Sequence, residues 1–239
     1  MTHLYLIRHG EATTQVSQIL RDDGLTPLGV TQAEHLRDRL AASHEIEADI
    51  LISSTLPRAR QTAEIIAPAL KKEIEFDDEV QELRVGEAEG LTFTEFNEKY
   101  GGYKFDQEPF HPVSPGGESW GQFVLRVSGA LDRITREHHG KKIVIVCHGG
   151  VIDSSFLYFF GMSALTLPPA RFFTQNTSIT YWRRSLSERR PPHWRLVRYN
   201  DDLHVRDIDA PARVSWDLLQ LPRKPEAFLV QPITPPTEE

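Results

Sequence analysis

A chain of 239 residues carrying a net charge of −7, with 39% apolar and 26% charged residues, has room for one sizeable soluble α/β domain and little more. The acidic balance argues against nucleic acid or an anionic membrane surface as a partner, although a local phosphate site is compatible with it. The single cysteine, Cys147, excludes an internal disulfide and suits a reducing compartment, and no apolar stretch approaches membrane-spanning length, so the cytoplasm is the expected location.

The first element is the apolar run Leu4-Tyr5-Leu6-Ile7, which reads as a strand buried on both faces. It ends at Arg8-His9-Gly10-Glu11. In an open α/β sheet, ligands bind outside the carboxyl ends of the strands, so the run delivers a nucleophile and a cation to that edge. The polar segment from Ala12 to Leu25 reads as a surface loop. Thr26-Pro27 follows as an N-cap with proline at the first helical position, and Leu28, Ala33, Leu36 and Leu40 predict a helix to about Ser43.

Residues 48–53 predict a second buried strand, leading into Ser54-Thr55-Leu56-Pro57-Arg58, another cap-and-proline start. Arg58 thus falls in the first turn of a helix with Ala59, Ala63, Ile66 and Leu70 on one face. An arginine there opposes the helix dipole but serves an anion held at the helix N-terminus. Arg60, two residues on, points elsewhere. Ile74–Phe76 predicts a short strand. Glu82, Glu87 and Glu89 follow, and on composition alone they read as solvated surface. A short helix over 94–100 closes at Gly101-Gly102, and residues 103–115 read as an ordered aromatic and proline-rich loop.

Pro115-Gly116-Gly117-Glu118-Ser119 opens a long helix whose buried stripe is Phe123, Val127, Leu131 and Ile134. The second buried strand ending in His-Gly is Ile143-Val144-Ile145-Val146-Cys147-His148-Gly149-Gly150, with an apolar helix after it. Two such endings make the functional reading of His9 and His148 the better one. Cys147 reads as a buried strand thiol, because the residues after it do not form a phosphate cradle ending in arginine. Residues 178–183 and 194–199 predict an antiparallel pair at one sheet edge. Prolines 211, 222, 225, 232, 235 and 236 forbid long regular structure beyond, so residues 1–204 form the expected domain and 205–239 a proline-rich extension, in which Trp216, Leu218, Leu219 and Leu221 point to some packing. Apolar strands alternating with amphipathic helices predict a three-layer α/β/α sandwich with a mostly parallel central sheet.

Taken together, RHGE at 8–11, SSTLPRARQTA at 53–63, Glu82 with Gly86 and Glu89-Gly90, PGGES at 115–119 and CHGGV at 147–151 resemble, in order, the phosphoglycerate-mutase-like branch of the histidine phosphatase superfamily. The resemblance covers residues 3 to 182. It implies His9 as a nucleophile forming a phosphohistidine, with Arg8, Arg58 and His148 around the phosphoryl oxygens and Glu82 as the acid that protonates the leaving group. It also implies Gln15 and Arg21 as substrate contacts and Glu11 as an orienting residue. The family usually carries Ser or Thr at position 12 and Asn at 15, where this chain has Ala12 and Gln15.

The implied activity is hydrolysis of a small phosphorylated metabolite by an acid-type phosphomonoesterase, without metal or cofactor, in a monomer or homodimer. A phosphoglycerate mutase is the alternative, and a catalytically silent phosphate-binding module a third. Mutases of the family carry a longer basic insertion before the GES motif. Here residues 91–116 hold only Lys99 and Lys104 against Glu95, Glu98, Asp106 and Glu108, which favours hydrolysis of a less charged, partly apolar substrate over a mutase.

Overall fold

The computed structural model describes residues 1–163, 165, 172–187 and 190–208, with the backbone alone at 186, 187 and 190–192. In chain order the elements are β1 (Thr2–Arg8), α1 (Thr13–Ser17), α2 (Pro27–Ser43), β2 (Ile50–Ser54), α3 (Pro57–Leu70), β3 (Ile74–Asp77), α4 (Phe93–Tyr100), α5 (Trp120–Glu137), β4 (Lys142–Cys147), α6 (Gly149–Phe160), β5 (Ile179–Ser187) and β6 (Arg190–Asp201). They form one six-stranded sheet in the order β3-β2-β4-β1-β5-β6. The four strands from β3 to β1 pair in parallel, and β5 and β6 extend the sheet antiparallel at its edge.

Side chains alternate across the pleat, and both faces are covered. Tyr5, Ile7, Val144 and Val146 face a core shared with Leu36 and Leu40 of α2 and Ala63 and Ile66 of α3. Leu4, Leu6, Ile143, Ile145 and Cys147 face the other, built by Phe123, Val127, Leu131 and Ile134 of α5 and Val151, Ile152 and Phe156 of α6. This is the three-layer sandwich expected from the sequence. Fully burying each such side chain contributes roughly 1.5–3 kcal/mol, which is why the apolar runs decide the strands.

Some helix starts follow the local chemistry, and α1, α3 and α6 start without a side-chain cap. Thr26 accepts from the Gly29 N–H ahead of α2, and Ser119 and Gln122 form a reciprocal capping box at α5. At α3, however, the N-cap is Leu56, with no side-chain cap. Ser54 Oγ instead takes up the Leu56 N–H and a histidine, described below. The segment after Ala12 is a loop only in part, since it contains the short helix α1. The chain continues as a helical turn at Leu203–Val205, with Val205 buried. From residue 209 on, the expected extension, with Trp216, Leu218, Leu219 and Leu221, lies outside the described residues. Among the described residues no helix is long and apolar enough to cross a membrane.

Candidate active site

Because β1 and β4 are neighbours paired Arg8 to Cys147, the residues just after them, His9 and His148, emerge side by side at the carboxyl edge of the sheet. Their ring centroids are 5.1 Å apart, and the residues are 4% and 0% exposed. The chain turns sharply after His9: a Cβ on Gly10 would lie 2.4 Å from the Gly29 carbonyl oxygen, so only glycine lets β1 pass the first turn of α2. The Gly10 N–H donates to Thr62 Oγ1 at 3.0 Å and the His9 N–H to the Cys147 carbonyl at 2.9 Å.

The protonation of His9 follows from its partners. Nδ1 lies 2.6 Å from the Gly10 carbonyl oxygen, which can only accept, so Nδ1 carries the proton and Nε2 the lone pair. Arg58 Nε–H, at 3.1 Å, donates to that lone pair. Burial, then Arg58 and Arg8, hold the imidazole well below its usual pKa, so it is neutral. His148 is held low by burial first, and then by Arg58, His9 and Arg8. Its Nε2 shares a hydrogen bond of 2.8 Å with Ser54 Oγ, while Nδ1 is buried without a partner among the described residues.

Arg8 is fastened through Nη1 to the Thr174 carbonyl, and its buried Nε–H likewise has no described partner. Burial pushes this guanidinium below its ordinary value, opposed by the charges of Glu82 and Asp153. Arg58 is paired through Nη1 to Asp22 Oδ2 at 2.7 Å. Glu82 reaches the site from the segment after β3, its Oε2 accepting the Gly150 N–H at 3.0 Å and its Oε1 the Leu83 N–H at 3.0 Å. A Cβ on Gly150 would lie 2.2 Å from Glu82 Oε1, so the second glycine of the CHGG run is what admits the carboxylate. Two buried nitrogens without partners among the described residues, on Arg8 and His148, thus lie in one site with the Arg58 guanidinium and the neutral His9 imidazole, whose lone pair Arg58 holds. That arrangement fits an attacked phosphoryl group.

The sequence matches the histidine phosphatase superfamily (branch 1) over residues 4–202. This chain belongs to that family. It is 32% identical over 166 residues to the metal-independent phosphoserine phosphatase of Arabidopsis thaliana, covering 66% of this chain and 68% of that one. It is 28% identical over 219 residues to the probable phosphoglycerate mutase GpmB of Salmonella paratyphi C, covering 89% and 97%. Among solved structures, the phosphoserine phosphatase of Entamoeba histolytica in complex with 3-phosphoglyceric acid superposes with a TM-score of 0.68 at 29% identity, over 86% of this chain and 100% of that one. Phosphatase- or mutase-type activity follows from the family.

Within this candidate site, the five residues the sequence singled out, Arg8, His9, Arg58, Glu82 and His148, are brought together. Arg21 lines the cavity above them but is paired at 2.8 Å to Asp23. Gln15 is turned away: its amide accepts the Ala12 N–H at 3.0 Å and bonds the Asn176 side chain at 3.2 Å. Gln15 thereby closes half of the cap that Ala12 cannot supply to α1. Glu11 Oε1 accepts from Thr26 Oγ1 at 2.7 Å and so braces the start of α2. Cys147 is fully buried, and its thiol is pushed upward by desolvation, as an inert strand residue should be. Among the described residues no cluster of three or more His, Cys, Asp and Glu is placed to hold a metal ion.

Several supporting residues escaped sequence reasoning. Asn176 Nδ2 donates to the His9 carbonyl at 2.9 Å, tying the loop before β5 to the His9 backbone. Arg126, on α5, forms a bidentate pair with Glu118 of the GES motif, both bonds 2.7 Å, and donates to the Glu79, Gln81 and Glu82 carbonyls. It is the strut that holds the Glu82 segment. A signal existed in the sequence, since Arg126 sits next to the buried stripe of α5. Replacing Arg126 with methionine keeps the aliphatic stem but leaves Glu118, 13% exposed, with an unpaired charge. Breaking a buried pair on one side costs about 3–5 kcal/mol, so a loss near the lower end is expected in urea unfolding. A change below about 1 kcal/mol would show that Arg126 is not the strut.

Proposed function

We propose that the protein is a phosphomonoesterase acting through a phosphohistidine on His9. The observation that carries this reading is the tautomer: Nε2 bears a lone pair at the carboxyl edge of the sheet, facing the Arg58 guanidinium, which also lines the cavity. In the first half-reaction Nε2 attacks phosphorus in line as the ester P–O bond breaks, and Glu82 gives its proton to the departing alkoxide. Before that attack Arg58 swings its Nε from the His9 lone pair onto a phosphoryl oxygen. Arg8, through its unpartnered Nε–H, and His148 hold the others. In the second half, water attacks the phosphohistidine, its proton returns to Glu82, and inorganic phosphate leaves with His9 restored.

Hydrolysis is favoured over mutase chemistry by the state of the arginines. A mutase must hold a second anionic group of its substrate, and each arginine lining the cavity already has a partner: Arg21 has Asp23, Arg58 has Asp22, and Arg84 has Gln81 and Glu79. The test is phosphate release from simple alkyl phosphates against interconversion of 3-phosphoglycerate with 2,3-bisphosphoglycerate as primer. Turnover of the second pair alone would overturn the phosphatase reading, and inertness toward both would return the chain to a binding module. The single buried thiol suits a cytoplasmic enzyme.

Arg8 and Arg58 act on charge that grows in the transition state. Removing one preorganised donor of this kind costs roughly 2.7–4 kcal/mol, or about 100- to 1,000-fold in kcat. Arg8→Ala and Arg58→Ala are each expected to show that loss. If only KM rose, the arginines would bind ground state and transition state alike.

A further inference from the structure

The cavity above the histidines has a volume of about 650 Å³, far more than a phosphoryl group fills. Its wall on the Glu82 side is an arc of rings. Phe123 starts at the catalytic end, since a Cβ on Gly150 would meet both its Cζ, at 2.9 Å, and Glu82. Trp120 follows at 5.7 Å between centroids, Phe105 at 5.0 Å from Trp120, and Tyr103 at 5.0 Å from Phe105. Tyr103 and Glu82 line the same cavity, and burial, then the charge of Glu82, raises the Tyr103 phenol. A ring-lined wall is the usual home of a flat apolar group, fixed by a few polar atoms.

One such polar atom is present. Trp120 lines the cavity and is 8% exposed, and its indole N–H is buried with no hydrogen-bond partner among the described residues. A buried donor left unmet is costly, so a bound group that accepts from it gains more than its contact area alone would supply. The charges beside the arc are unfavourable to an anion. Glu82, Glu89 and Asp153 line the cavity there, and its three arginines are already paired.

Resting on the phosphomonoesterase reading, we propose that the leaving group is an uncharged alcohol bearing an aromatic ring. The ring lies against Phe123, Trp120 and Phe105, and an acceptor atom on it meets the Trp120 N–H. The ester oxygen then departs beside Glu82, where the arc begins. Such a substrate is the phosphate monoester of an arylmethyl or heteroarylmethyl alcohol. A sugar or glycerate phosphate would leave the rings uncovered.

The test compares benzyl, pyridylmethyl and glycerol 3-phosphates with 3-phosphoglycerate, all alkyl esters with strongly basic leaving groups. The two ring-bearing esters are expected to exceed glycerol 3-phosphate in kcat/KM by at least about 100-fold, on the apolar area a ring buries, with 3-phosphoglycerate slowest. Trp120→Leu should shrink the benzyl-to-glycerol ratio about tenfold, and Trp120→Phe should lower pyridylmethyl turnover more than benzyl turnover. Calorimetric binding of benzylphosphonate against methylphosphonate reads the same preference without chemistry, and at least about 30-fold tighter binding is expected. Release of phosphate from all four esters at similar rates would overturn the leaving-group assignment while leaving the phosphatase intact. No hydrolysis at all, with benzylphosphonate still strongly preferred, would sink the phosphatase reading and uphold the ring site. Equal binding of the two phosphonates would overturn the ring site on its own.

Discussion

Replacing His9 with alanine is expected to abolish turnover while the protein stays folded. The imidazole holds its Nε2 lone pair toward Arg58, with the His148 ring 5.1 Å away, and its removal deletes the covalent step rather than weakening it. Loss of a nucleophile costs on the order of 10⁴- to 10⁶-fold in kcat. The fold should survive, since the turn after β1 is held by the backbone N–H groups of His9, to the Cys147 carbonyl, and of Gly10, to Thr62 Oγ1. Arg58 also keeps Asp22 when it loses the ring. The measurement is single-turnover trapping of labelled phosphate in an acid-labile, base-stable linkage. The native protein should carry it on the peptide containing His9, and the variant should carry none. Label retained by His9→Ala would mean another nucleophile.

The same residue sets a pH expectation. A histidine held well below its usual value by burial and two arginines remains neutral, and therefore nucleophilic, as pH falls through 6.5. In a carbon-labelled protein the His9 ring should show no titration between about pH 6 and 8, where an unperturbed imidazole is half protonated near 6.5. A midpoint at or above that value would contradict the neutral, arginine-faced ring.

Glu82→Gln is expected to produce the second large effect, one that depends on the leaving group. Glutamine keeps the size of the side chain and can still accept one of the two N–H groups, of Leu83 and Gly150, that hold the carboxylate. It cannot give up a proton. An alkyl phosphate expels a strongly basic alkoxide, and proton donation is worth about 100- to 10,000-fold when the leaving group demands it. Alkyl esters should slow by that factor. With p-nitrophenyl phosphate the leaving phenolate is stable alone, so the burst of the phosphorylation step should slow much less. Equal slowing of both bursts would remove Glu82 as the acid and direct attention to Glu87, Glu89 or His148. Asp153, which lines the cavity close to Arg8, joins them on structural grounds.

Much of this molecule is decided along the chain. The apolar runs 4–7 and 143–146, each closed by His-Gly, are strands because nothing but a doubly covered sheet would bury them. Their parallel pairing then brings His9 and His148 to one edge. The helices α2, α3 and α5 are equally legible, through a proline or serine at the start and an apolar residue every three or four positions. These features are local, repeating over two or 3.6 residues, and a single sequence carries them openly. Even there a five-residue helix such as α1 is too short to show a period.

What the tertiary structure alone decided are the partners. Asp22 meets Arg58 across 36 residues, Arg126 meets the Glu82 carbonyl across 44, Ser54 meets His148 across 94, and Asn176 meets the His9 carbonyl across 167. None of these separations has a period, and each depends on how a loop closes over the sheet edge. Ser54 shows the consequence, since its place before a proline predicted a helix cap and the fold gave it a histidine instead. The arc from Phe123 to Tyr103 is of the same kind. Two of its rings are spaced as helix residues and two lie in the loop before α5, and only their packing around Glu82 makes them a wall. Chemistry close to the backbone was written in the chain, and the cavity wall, built from side chains that only the packed fold brings together, was not.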